Sequence, residues 1–177
     1  KTLVIYPVMD GIYAAGQDQQ EILEFLRSIF TQVSEEFCQT NKAQHRFMVR
    51  GGLSYGPTFH GKSFGQNTST VLTNNQSHRD ALLLGMAVIQ AYLSESSAPP
   101  FGLFVHESAR AFSPQGQPPI PHSYWKWVNS SNREIWIETK EKLHEYLKWC
   151  SENSLPLGYP SDAIKKHTEM VSQYFSS

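Results

Sequence analysis

Near its start the chain reads Leu3-Val4-Ile5-Tyr6-Pro7-Val8-Met9-Asp10-Gly11-Ile12-Tyr13-Ala14-Ala15. Apolar and β-branched residues on both sides of Asp10-Gly11 are typical of two strands joined by a two-residue turn. The pattern predicts a β-hairpin with one carboxylate, that of Asp10, at its tip. Two roles are open to this side chain: it can simply form the turn, or it can present its oxygens to a ligand.

The composition limits the class of protein. The chain has 177 residues, 40% hydrophobic and 18% charged, which suits one compact domain over residues 1–177. A net charge of -1 gives no basic stripe, so nucleic acid is not an expected partner. Two widely spaced cysteines, Cys38 and Cys150, favour a reducing compartment. Because no apolar run is long enough to span a membrane and no signal peptide is recognisable, we expect a cytoplasmic protein with no membrane partner.

Three stretches have helical patterns. Asp18 and Glu21 form a capping-box-like start to a long amphipathic helix. A second helix is expected to begin near Ser77 and to continue to Leu93, and it is apolar nearly all round. The C-terminal third predicts two more helices, the last one capped by Ser161.

The remaining segments predict strands and loops. Residues 46–56 alternate and then become glycine-rich, as in a central strand that something approaches closely. A polar loop is expected over residues 57–76, and a short strand over residues 101–106. Strands followed mainly by helices predict an α+β domain with an antiparallel sheet covered by helices.

Three segments together resemble one known family. They are the Asp10 hairpin, the strand Arg50-Gly51-Gly52-Leu53-Ser54-Tyr55-Gly56-Pro57 and the helix Gly85-Met86-Ala87-Val88-Ile89-Gln90-Ala91-Tyr92-Leu93-Ser94-Glu95. In order and approximate spacing they resemble the class III nucleotidyl cyclases, over roughly the first 110 residues. In that family the hairpin carries the second of two metal-binding aspartates, the strand has the pattern Arg-x-Gly-x-x-x-Gly-Pro, and the helix has Gly-x-x-Val-Asn-x-Ala-x-Arg-x-Glu. The resemblance implies a ferredoxin-like cyclase fold and places Asp10 on the metal aspartate.

The departures from the family pattern are as informative as the matches. The family's ribose-positioning asparagine falls at Ile89, and its transition-state arginine falls at Leu93. The base-selecting position, a lysine or glutamate in purine cyclases, is Tyr6, whose bulk would shorten the base pocket and favour a pyrimidine. In these features the chain is similar to the pyrimidine cyclases of the bacterial Pycsar anti-phage system.

That resemblance implies an activity. A pyrimidine cyclase converts UTP or CTP to cyclic UMP or cyclic CMP and diphosphate, and the product activates a separate cyclic-nucleotide-sensing effector; the residues do not separate the two bases. Cyclisation requires divalent metal, Mn²⁺ or Mg²⁺, for which Asp10 supplies oxygen ligands. The resemblance also implies a homodimer with shared sites, and it places the other metal aspartate on a strand before Lys1, so that residues 1–177 would lack their N-terminal strand.

Several residues and two further functions stay open. Arg50 can hold a phosphate or a metal-site carboxylate, or can form a structural ion pair. His60 and Lys62 can bind triphosphate or remain solvated loop residues, with solvation favoured. His106 is expected to cap a helix or lie in the core. The alternatives to a cyclase are a non-catalytic cyclase-like domain that binds nucleotide or a partner, and a polymerase-like palm domain.

Overall fold

The computed structural model describes residues 3–8, 10–64 and 74–176. Within these ranges the strands are β1 (Val4–Val8), β2 (Gly11–Ala15), β3 (Gly51–Leu53), β4 (Phe59–His60), β5 (Leu83–Leu84), β6 (Leu103–Val105) and β7 (Tyr124–Trp125). The α-helices are α1 (Gln19–Gln39), α2 (Gln76–Asp80), α3 (Met86–Glu95), α4 (Glu107–Ala111), α5 (Arg133–Glu152), α6 (Ser154–Leu157) and α7 (Ser161–Tyr174). None of the described helices is long and apolar enough to cross a membrane.

The strands confirm the α+β class but form three separate sheets in the described residues. β1 pairs with β2 and β4 with β5, both antiparallel, while β3, β6 and β7 form a mixed sheet. The β3–β6 pair is parallel, and β6–β7 is antiparallel. The expectation of an antiparallel sheet is therefore wrong for β3 and β6. The chain between them returns through α3, and such a crossover permits parallel pairing.

The hairpin has the predicted strands with a shifted turn. Gly11 is the first residue of β2 and pairs with Val8, so it belongs to the ladder, whereas the sequence placed it in the turn. Asp10 lies in the turn and is exposed. Tyr6 is directly opposite Tyr13, and such cross-strand partners point to the same face of the hairpin.

The helix expected from Ser77 to Leu93 is interrupted. Helix α2 ends at Asp80, and Leu83 and Leu84 pair instead with β4. Gly85 then has φ 144°, a conformation that L side chains rarely adopt, and an added Cβ would lie 2.5 Å from the carbonyl oxygen of Pro57. The predicted helix is therefore broken by the pairing of Leu83 and Leu84 with β4 and by the positive φ of Gly85.

The core lies between the mixed sheet and helices α1, α5 and α7. Trp127 is fully buried, and its indole Nε1 donates a hydrogen bond of 2.8 Å to the carbonyl oxygen of Phe101. Phe101 has φ 55°, a costly conformation for a bulky residue, and it is held there by this bond and by packing on Phe37. Helix α1 begins as predicted, because the Asp18 side chain accepts hydrogen bonds from the first turn.

Helix α3 lies in direct backbone contact with β3. A Cβ added to Gly52 would lie 2.0 Å from the carbonyl oxygen of Ala91 and 3.0 Å from the backbone nitrogen of Glu95. Such distances are far below van der Waals contact, so glycine is required at this position. The sequence predicted that something approaches this glycine-rich strand closely, and at Gly52 the structure shows that it is the backbone of α3.

We predict that Gly52→Ala destabilises the fold by about 3 kcal/mol or more, because α3 must move away from β3 to admit a methyl group. Urea unfolding measures the change. Gly11→Ala is the matched control: its Cβ would meet no atom closer than the 3.8 Å side-chain carbon of Val8. Equal stability of the two variants would contradict the packing argument.

Candidate functional site

Asp10 projects from the hairpin tip into solvent. Among the described residues no hydrogen bond or ion pair restrains its carboxylate, and no group of three His, Cys, Asp or Glu side chains is placed to hold a metal ion. Its carboxylate acts electrostatically on the hydroxyl of Tyr13. Burial raises the pKa of Tyr13 above its usual value, and the hydroxyl of Tyr92 and the carboxylates of Glu95 and Asp10 raise it further. Two carboxylates, from the hairpin and from α3, therefore act on one hydroxyl.

Arg50 forms an ion pair with α3. Its Nε donates to Oε1 of Glu95 at 2.7 Å, with both side chains about one-third exposed (33% and 38%). Its Nη1 lies 3.5 Å from Nε2 of His167 on α7. The guanidinium therefore bridges two helices. Of the roles that the sequence left open for Arg50, the structure contains an ion pair, with Glu95. A contact with phosphate or with a metal-site carboxylate remains a prediction.

Tyr6 lies at the base of an open cleft. The side chain is 4% exposed, and its hydroxyl hydrogen-bonds Nδ1 of His60. Burial raises the pKa of Tyr6 above its usual value, and the Asp80 carboxylate adds to the effect. The cleft measures about 630 Å³ and also contains Thr58 and Lys62. The structure thus brings together the predicted base-selecting tyrosine and the two residues, His60 and Lys62, that sequence reasoning left to a solvated loop.

A second cleft, of about 130 Å³, separates β2 from β3. Its lining includes Ala14 and Ala15 of β2, Gly52 and Leu53 of β3, and Ala87 of α3. Among the described strands, β2 pairs only with β1, and β3 pairs only with β6. Each strand therefore presents a backbone edge without a strand partner, and the cleft between the two edges is apolar.

Helix α3 has a buried face and an exposed face, although its sequence is apolar nearly all round. Ala87 and Ser94 are buried, whereas Ile89 and Leu93 are 53% and 63% exposed. These two exposed positions are the ones at which the cyclase pattern has asparagine and arginine. Further exposed apolar side chains lie on the same helix and on the hairpin: Met86, Tyr92, Ile5, Val8 and Ile12.

His106 has the capping role expected from sequence. It precedes α4, and its Nδ1 accepts a hydrogen bond of 3.1 Å from the backbone nitrogen of Ser108. It is therefore a structural residue of the α4 start. The polar loop expected over residues 57–76 is also partly structured, because β4 lies within it; residues 65–73 fall outside the described residues.

Sequence reasoning missed the C-terminal partners of Arg50. His167 lies 117 positions from Arg50, and its Nδ1 hydrogen-bonds the hydroxyl of Tyr159. Burial lowers the pKa of His167 below its usual value, and the cations of Arg50 and Lys166 lower it further. No local pattern marks this contact, because it is made by the packing of α7.

No protein-family model, curated protein or solved structure matches the chain. The case for a function therefore rests on the residues and their arrangement.

Proposed function

We propose that this protein is a metal-dependent pyrimidine nucleotide cyclase, which converts UTP or CTP to the cyclic monophosphate and diphosphate. The observation that carries the proposal is the hairpin: Asp10 stands unrestrained at its tip, and Tyr6, four residues earlier, forms the base of a cleft. A cleft of about 630 Å³ is within the size range of ligand sites. In the cell we propose that the product serves as an anti-phage messenger in the cytoplasm, acting on a separate effector.

The metal requirement fits the donor present. Mn²⁺ and Mg²⁺ prefer oxygen ligands, and an exposed carboxylate on a hairpin tip can present both oxygens with little side-chain entropy lost. Bound metal would lower the pKa of the ribose 3′-hydroxyl and neutralise the triphosphate during in-line attack on the α-phosphorus. Asp10 is the residue that would hold it.

A second carboxylate is needed, and the cleft between β2 and β3 is a suitable place for the strand that carries it. β2 and β3 each have an edge without a strand partner among the described strands, and such edges offer hydrogen-bonding groups to an extended segment. With such a strand the hairpin and the mixed sheet would form one continuous sheet, as the ferredoxin-like cyclase fold requires. A carboxylate at its end would then face Asp10.

The base-selecting role falls to Tyr6. Its ring is fixed by burial and by the bond to His60, so it cannot move aside for a larger base. Lys62 on the same cleft supplies a positive charge suited to phosphate oxygens. Arg50, which is paired with Glu95 in this structure, would bind a phosphate of the substrate or a carboxylate of the metal site.

The exposed apolar surface of α3 and the hairpin supports a homodimer. Ile89 and Leu93 place carbon side chains where the cyclase pattern has catalytic polar groups, and such surfaces are commonly covered by a partner. The presence of Ile89 and Leu93, where the cyclase pattern has asparagine and arginine, also supports the rival function. That function is a non-catalytic cyclase-like domain that binds nucleotide. Incubation with Mn²⁺ and each of the four nucleoside triphosphates, with separation of the products, decides between the two.

We predict that Asp10→Asn lowers cyclic nucleotide formation by at least about 100-fold, because the amide cannot neutralise a divalent metal. The exposed site should keep the stability of the fold within about 0.5 kcal/mol. Asp162→Asn, an exposed carboxylate on α7, is the matched control and should retain full activity. Undiminished product from Asp10→Asn would reject the assignment.

Mn²⁺ broadening of backbone amide signals gives a readout of the same site without turnover. Signals of Gly11 and of the β2 residues that line the smaller cleft, Tyr13, Ala14 and Ala15, should broaden in the wild type. The same signals should sharpen in Asp10→Asn. Uniform broadening over the whole surface would place the metal elsewhere.

We expect Tyr6→Ala to admit purine triphosphates, because removing the ring lengthens the base pocket, while Tyr6→Phe should keep the preference for pyrimidines. Truncation of this buried ring costs about 3–5 kcal/mol, so activities are compared well below each variant's unfolding temperature. The measurement is the ratio of cyclic pyrimidine to cyclic purine product. A ratio unchanged in Tyr6→Ala would remove Tyr6 from the base pocket.

Ile89→Glu is expected to dissociate the dimer, because it places a charge in an apolar interface. Ile137→Glu on α5 is the matched control, since Ile137 is 48% exposed and Ile89 is 53% exposed. Sedimentation velocity should give a monomer for the first variant and a dimer for the second. A monomeric wild type would contradict the proposed assembly.

A further inference from the structure

Four polar side chains from distant parts of the chain form one connected series. Glu95 at the end of α3 accepts from Nε of Arg50 at 2.7 Å, and Nη1 of Arg50 lies 3.5 Å from Nε2 of His167. Nδ1 of His167 hydrogen-bonds the hydroxyl of Tyr159, which precedes α7. The series joins Arg50, which immediately precedes β3, to the C-terminal helix α7.

The chemistry of arginine fixes the direction of these bonds. A guanidinium has only donors, so Nε2 of His167 must act as the acceptor. The imidazole is then neutral with its proton on Nδ1, and Nδ1–H donates to the oxygen of Tyr159. A protonated ring would turn an N–H and a positive charge toward Arg50, so it could not accept this bond.

The surroundings of His167 favour the neutral ring. Arg50 faces it from the position just before β3, Lys166 lies beside it on α7, and Tyr159 contacts its other nitrogen. Burial lowers the pKa of His167, and the two cations lower it further. Glu95, the one carboxylate in the series, is paired with Arg50.

Cys150 of α5 is the other group that acts on Tyr159. Burial and, to a smaller extent, Cys150 raise the pKa of Tyr159 to about 12, although Arg50 lowers it. Tyr159 therefore stays a neutral phenol, able to accept from His167 over the range in which histidine titrates.

We propose that His167 is a positioning residue for Arg50, which it holds against Glu95 when neutral and releases when protonated. The proposal rests on the proposed function in one respect, that Arg50 acts on the phosphate or metal side. A guanidinium with two fixed partners has one orientation, whereas one with Glu95 alone can rotate about its side-chain bonds. Turnover should therefore fall on acidification before the carboxylates protonate.

The sign of the stability effect is the same. His167 titrates below its usual pKa of about 6.5 in the folded protein, so the unfolded chain binds the proton first. The contribution of neutral His167 to the free energy of unfolding is therefore complete above the unfolded-state pKa. It is lost as the pH falls from the unfolded-state pKa to the folded-state pKa.

The test compares the wild type with His167→Gln, whose amide oxygen can accept from Arg50 but does not titrate. Relaxation of the Arg50 Nε–H signal is measured above and below the titration midpoint of His167, which is followed by its ring carbon shift. We expect the order of Arg50 to fall on protonation in the wild type and to stay constant in His167→Gln. His144→Gln is the control, because His144 bonds Ser172 and the Lys140 carbonyl.

Cyclase turnover with Mn²⁺ gives the second readout. The wild type and His144→Gln should lose about tenfold in rate between pH 7.5 and pH 5, and His167→Gln less than about twofold. If no triphosphate is cyclised, the proposed function fails while the relaxation experiment still decides the role of His167. Constant order of Arg50 across the titration, or equal pH profiles for the wild type and His167→Gln, would overturn the proposal.

Discussion

The backbone contact between α3 and β3 is the constraint on which the functional surface depends. With glycine at position 52, the carbonyl oxygen of Ala91 approaches the strand to a distance that no side chain permits. This approach fixes the rotation of α3 about its own axis. Its small residues then face the sheet, its large apolar residues face outward, and Glu95 is carried to the guanidinium of Arg50. The absence of a side chain at Gly52 thus allows the packing of α3 that forms the Arg50–Glu95 ion pair and exposes the apolar face of the helix.

The C-terminal helices stabilise the other side of the same sheet. Trp127 and Phe101 are fully buried and joined by a hydrogen bond, and Leu143 and Leu147 of α5 complete the packing around them. This core holds α7 against α5, and α7 in turn brings His167 to Arg50. The helices of the C-terminal third therefore contribute to the surroundings of Arg50, which precedes β3.

The hairpin stands apart from this core. In the described residues it pairs with no other strand, and its two candidate side chains differ in surroundings: Asp10 faces solvent, and Tyr6 is buried and hydrogen-bonded to His60. Among the described strands, β2 and β3 each keep one edge without a strand partner, and unpaired backbone groups of this kind invite pairing.

The sequence by itself determined the local structure wherever short-range chemistry decides it. Asp18 begins α1, His106 caps α4, and the residues on both sides of Asp10 form a hairpin, because in each case the partner groups lie within a few positions. The hairpin pattern also indicated Asp10 as a candidate residue, whereas Tyr6 became a candidate only through the resemblance to a known family.

Tertiary packing decided the rest. It broke the expected helix at Gly85, since Leu83 and Leu84 gain strand partners in β4, and it turned Ile89 and Leu93 outward. The contact of Arg50 with His167 spans 117 positions, and only the position of α7 creates it. The type and spacing of side chains limit the interactions that they can form. Which partner a side chain such as Arg50 contacts depends on the packing of helices and strands that are distant in sequence.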